Sequence, residues 1–110
     1  MELGTDHGVS YFAFCQAIDE LKIQPKANAV DLFTGDEHSG YYDQEVFNTV
    51  TKVNDDHFSH VSNILKTTFD EANQLFEYGS IDLLHIDGLH TYEAVKNDFE
   101  LWLPKMGFKV

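Results

Sequence analysis

Apolar and polar positions alternate along the chain in a way that separates strand-like from helix-like stretches. A short apolar start, Met1-Glu2-Leu3, runs into the turn Gly4-Thr5-Asp6-His7-Gly8. Over 9–22, Tyr11, Phe14, Ile18 and Leu21 recur at helical spacing with Phe12, Ala13 and Ala17 beside them, which predicts a helix with two adjoining apolar faces. Pro25 breaks that pattern, and 27–33 reads as a second strand. A polar loop over 34–43 follows, and then Phe47, Val50, Asn54 and Phe58 predict a helix over 44–58. The stretch 61–66 reads as a third strand. Thr68 with Glu71 three residues later forms a capping box, opening a helix to about 78 that stops at Gly79. The strongest strand is 81–87, whose apolar run between turn signals suits cover on both faces. A last helix over 91–103 lines up Tyr92, Val95, Phe99 and Trp102, read as core, and Pro104 ends it.

Four strands alternating with four helices predict an α/β domain: a Rossmann-like parallel sheet flanked by helices. Ligands bind such sheets beyond the carboxyl ends of the strands. The loops 4–8, 31–40, 66–70 and 87–91 are therefore where a site is expected, and the glycines and charged residues gather there.

Each loop has a chemical and a plain reading. Gly4 and Gly8 let a backbone approach a ligand closely ahead of a helix N-terminus, or they make an ordinary tight turn. Dinucleotide sites want G-x-G-x-x-G, and Asp6 stands where a second glycine would admit a pyrophosphate. An acidic side chain there repels phosphate, so a sulfonium-bearing cofactor such as S-adenosylmethionine fits better. Asp31, ending the second strand, can accept from ribose hydroxyls, or merely start a loop. The loop 35–40 could bind metal or substrate, with His38 its best candidate, or be a solvated turn. Asp87 and His90, displayed after the fourth strand, can share a divalent ion or act as an acid/base pair. The plain alternative has Asp87 bonding turn amides and His90 near a helix cap. His85 reads as a satisfied core residue, His57 and His60 as a solvated helix end, and His7 stays open.

Composition narrows the partners. Net charge is −12, and the seven basic residues are scattered singly, which argues against nucleic acid and against an anionic membrane surface. The single cysteine, Cys15, points to a reducing interior, and no apolar segment is long enough to span a bilayer, so a cytoplasmic protein is expected.

Three stretches together carry a resemblance: Glu2-Leu3-Gly4-Thr5 with Gly8 to Cys15, Ala29-Val30-Asp31 with 35–40, and 81–95 with its Asp87-Gly88-Leu89-His90 core. The chain resembles class I S-adenosylmethionine-dependent methyltransferases of a family found with bacterial glycan-modifying genes. The resemblance implies methyl transfer to a hydroxyl on a glycan or small molecule. It implies Glu2, Gly4, Thr5 and Gly8 along the methionine side of the cofactor, Asp31 on the ribose, and Thr68 and Phe69 near the adenine. Asp87 would border both cofactor and acceptor. With His90 it would hold a divalent metal ion or orient and deprotonate the acceptor.

The family normally has seven strands and about four are readable, so residues 1–110 are expected to form a single incomplete domain. An open sheet edge predicts self-association. Two rival readings stand beside this one. One is a non-catalytic Rossmann-like module binding a nucleoside cofactor or a partner chain. The other is a metal-dependent hydrolase or hydroxylase using Asp87, His90 and the His38 loop.

Overall fold

The computed structural model describes residues 1–36, 40–41 and 43–107. Among the described residues, six strands and four α-helices follow one another: β1 (Glu2–Leu3), α1 (Val9–Leu21), β2 (Ala27–Asp31), β3 (Gly35–Asp36), β4 (Gly40–Tyr41), α2 (Gln44–Val53), β5 (Ser62–Lys66), α3 (Phe69–Asn73), β6 (His85–Ile86) and α4 (Tyr92–Trp102). Four of the strands form a parallel sheet in the order β5-β2-β1-β6. The expected α/β architecture with a parallel sheet and flanking helices is the one observed.

Side-chain alternation along these strands builds two apolar layers. On one face Leu3 and Val30 join Ala72, Ile81 and Trp102, with Leu65, Phe69 and Ile86 packed against them. On the other face Ala27 and Ala29 join Tyr11 and Cys15 of α1, with Phe12, Ile18, Phe58 and Ile64 around them. Cys15 is a core side chain whose thiol is raised by burial, which agrees with a packing role.

Several elements differ from the pattern-based expectation. The second strand stops at Asp31, because Phe33 adopts a left-handed conformation (φ 59°) that no strand continues through. Within the polar loop, Gly35–Asp36 pairs antiparallel with Gly40–Tyr41. The helix expected over 44–58 is α-helical only to Val53 and closes as a π-helical turn, Asn54–Phe58. The Thr68 cap is present, its hydroxyl accepting from the Glu71 amide at 3.1 Å. The helix it opens lasts only five residues.

The strand expected over 81–87 is paired as β6 at His85 and Ile86, and Leu83 is 61% exposed, so it is not covered throughout. Ile81 makes a single parallel bridge with Met106, which brings the residues after Pro104 alongside the start of this segment. On α4 the aromatic stripe splits. Trp102 is fully buried, whereas Tyr92 and Phe99 are exposed, so the stripe is core only at its last turn. No helix is long and apolar enough to cross a membrane among the described residues.

Candidate functional site

The glycine turn follows β1 directly. Gly4 (φ 87°), Asp6 (φ 52°) and Gly8 (φ 88°) all take left-handed conformations, which bends the chain sharply before α1 starts at Val9. Gly8 caps α1 without a side-chain hydrogen bond, so backbone amides of the first turn lack a side-chain acceptor. Thr5 is buried, and its hydroxyl has no partner among the described residues. His7 Nδ1 lies 2.5 Å from the Asp6 carboxylate, a pairing on the exposed rim of the turn.

Asp31, at the carboxyl end of the adjacent β2, ties this turn in place. Its Oδ2 accepts from the Thr5 amide at 2.7 Å and the Asp6 amide at 2.9 Å, and its Oδ1 accepts from the Phe33 amide at 2.9 Å. A carboxylate offers about four acceptor positions, so Asp31 retains capacity for another donor.

The loop after β6 meets the same turn from the other side. A Cβ at Gly4 would collide with the Asp87 carbonyl, so the Gly4 and Asp87-Gly88 backbones are in direct contact. A Cβ at Gly88 would in turn lie 2.8 Å from the Phe69 ring and 3.5 Å from the Asp98 carboxylate. Gly4, Thr5, Asp31, Phe69, Asp87 and Gly88 are thus gathered at the carboxyl ends of β1, β2, β5 and β6. His90 Nε2 sits 3.0 Å from Asp87 Oδ1, and both side chains are open to solvent. An exposed, hydrogen-bonded imidazole and carboxylate can exchange a proton with a bound hydroxyl.

Other expected residues lie elsewhere or do other work. Glu2 is buried, with its carboxylate directed to Ser10 of α1 and His85 of β6. Gly8 packs under the Phe12 ring, and the Thr68 hydroxyl is engaged in capping α3. His38 lies outside the described residues. His60 bonds Asp19 of α1 at 2.6 Å, which gives it a partner that its neighbours in the chain did not suggest.

Pattern reading did not single out Asp98. It faces Gly88 from the middle of α4, and its carboxyl is pushed up to about 6 by burial and by the nearby Asp70 carboxylate. Its signal in the sequence is slight: one acidic position six residues after Tyr92 on a helix otherwise read for its aromatic stripe.

Among the described residues, no group of three or more His, Cys, Asp or Glu is placed to hold a metal ion. The residues do fit a small polar cofactor with an amino acid moiety. Among the described residues, the turn leaves an unpartnered buried hydroxyl at Thr5 and amides at the start of α1 without a side-chain cap.

Comparison with known proteins gives the family of the chain. A family profile described as "Methyltransferase domain" matches residues 1–109. An uncharacterized protein of Sinorhizobium fredii (strain NBRC 101917 / NGR234), y4gI, is 45% identical over 106 residues. The match takes in 96% of this chain and 12% of that relative, so the chain spans only a small part of its length.

Proposed function

The chain belongs to the methyltransferase-domain family, and we propose that it binds S-adenosylmethionine at the Gly4–Gly8 turn and directs methyl transfer to a hydroxyl of a glycan or small molecule. The observation that carries this reading is the junction of Gly4, Asp31 and Asp87 at one end of the sheet. A sulfonium cofactor supplies an activated methyl group with a good leaving group, so the protein's share of the chemistry is positioning and proton removal.

In this reading the Thr5 hydroxyl and the α1 amides hold the amino acid end, and Gly4 lets the Asp87-Gly88 backbone close against the turn. Asp31 keeps the turn closed through two amides and offers its remaining acceptor capacity to the ribose. Phe69, partly buried beside Gly88, supplies an apolar face for the adenine. Asp87 and His90 orient the acceptor hydroxyl, and His90 takes its proton while Asp87 holds the ring. Glu2 supports this region from beneath through Ser10, in the first turn of α1. A divalent ion at Asp87 and His90 would need ligands from the acceptor or from residues beyond the described ones.

Calorimetry with S-adenosylhomocysteine tests the binding half of the proposal, and micromolar affinity is expected. Methyl transfer from labelled cofactor to a panel of sugars and phenols tests the catalytic half. Binding without transfer to any acceptor would instead favour a non-catalytic module. No binding at all would overturn the cofactor assignment.

A further inference from the structure

Gly88 does not take a positive φ, so its backbone conformation does not call for glycine. What calls for it is space. A Cβ there would lie 2.8 Å from the Phe69 ring and 3.5 Å from Asp98 Oδ2. The missing side chain therefore lets an aromatic ring and a carboxylate close on one piece of backbone, next to Asp87.

Asp98 reaches this point from the inner side of α4. It precedes the fully buried Trp102 by one helical turn, which puts the two on one face. Its other neighbours one turn away, Ala94, Val95 and Leu101, carry no charge. From α3, Asp70 faces it and repels it. In the loop after β6 the Asp87 carboxylate is bonded to His90 instead. Among the described residues Asp98 has no ion-pair or hydrogen-bond partner, yet neither of its oxygens is sealed from solvent. Burial and Asp70 push its carboxyl up to about 6, so it is ionised at neutral pH and protonated in mild acid. A partly buried carboxylate that faces another carboxylate is costly, and beside a ligand site it is a candidate for function.

The two flanks of Gly88 define what would be held there. An ionised carboxylate only accepts, so Asp98 selects a donor. Phe69 offers the face of a ring, so that donor belongs on the edge of a flat body stacked against it. Adenine has this form, a planar base with an amine on its edge.

We propose that Asp98 determines the base specificity of the cofactor site, its carboxylate accepting from the exocyclic amine of an adenine stacked on Phe69. This rests on S-adenosylmethionine being the cofactor, and adds the group that tells its base from others.

Calorimetry on the intact chain with S-adenosylhomocysteine, and with its analogue bearing purine in place of adenine, isolates the amine. At about pH 7.5 the purine analogue should bind about tenfold more weakly, the effect of one charge-assisted hydrogen bond left unmade. At about pH 5 roughly nine-tenths of Asp98 is protonated, so the two affinities should come within about threefold of each other. Asp98→Ala should bring them within about twofold at both pH values. Asp98→Asn should keep a smaller preference that does not change with pH. Both variants remove an unpaired, partly buried charge and are expected to fold, and the parent's own pH dependence reads the role without any variant.

Equal affinities in the parent at about pH 7.5 would overturn this role for Asp98 and leave the cofactor reading standing. So would a tenfold preference that persists at about pH 5 or survives Asp98→Ala, which would put the amine on another acceptor such as Asp70. No binding of either compound would overturn the cofactor reading, and the role of Asp98 with it.

Discussion

The carbonyl oxygen of Asp87 occupies the space that a side chain at Gly4 would need. Gly4 donates its amide to Val30 at 2.9 Å, and the Asp87 amide donates to Leu3 at 2.7 Å, so three strand ends are locked around one residue without a side chain. Gly4→Ala combines a disfavoured positive φ with this collision. It is expected to cost about 2 kcal/mol or more and to abolish S-adenosylhomocysteine binding. Gly79 has a similar φ (72°) with open space around it, so Gly79→Ala should cost only about 1 kcal/mol. Chemical denaturation of both variants checks the contrast, and equal losses would mean that the contact contributes nothing.

Asp31 holds three backbone amides at once. Asp31→Ala should therefore loosen the glycine turn, losing on the order of 2 kcal/mol of stability and at least about tenfold in cofactor affinity. Asp31→Asn keeps one oxygen and should fall between the two. Calorimetry and thermal melting together read both effects, and unchanged affinity in the alanine variant would remove Asp31 from the site.

Asp98 makes stability depend on pH in a defined direction. Its carboxyl is raised from 3.8 to about 6, so the folded protein holds this proton more tightly than the unfolded chain does. The group's contribution is therefore fully present below about pH 4 and is lost as pH rises through 6. Asp98→Asn has no proton to lose. Relative to the parent it should become more stable across that window and level off above it, by on the order of 1 kcal/mol because the side chain is partly solvated. Urea midpoints at several pH values give the comparison. A difference between the two proteins that is constant with pH would rule the effect out.

Trp102 and Phe99 lie on one helical stripe with opposite burial, 0% and 50% exposed. Trp102→Ala should cost about 3–5 kcal/mol through the lost ring contacts and the remaining cavity. Phe99→Ala should change stability by less than about 1 kcal/mol. Similar losses at the two positions would show that the outer stripe is covered in solution.

Local signals made much of the fold legible. The Gly4–Gly8 turn, the Thr68 cap and the Pro25 break act within a few residues, so their neighbours in the chain reveal them. Helix lengths were less legible. The helix opened by Thr68 ends early at Asn73, and the one opened at Gln44 turns π-helical at Asn54, because packing rather than propensity sets where each stops. The α4 stripe misled for a related reason: spacing shows which residues share a face but not whether anything covers it.

The sequence alone determined the alternation of strand and helix, the parallel sheet it implies, and the loops that meet at its carboxyl end, since these follow from periodicity and chain connectivity. Only the tertiary structure decided which side chains meet across the strands. It brought Asp31 to the amides of Thr5 and Asp6 some 25 residues away, Phe69 and Asp98 to Gly88, and His85 to Glu2 across 83 positions. Those pairings depend on strand register, and register is settled by how both faces of the sheet pack at once rather than by any local run of residues.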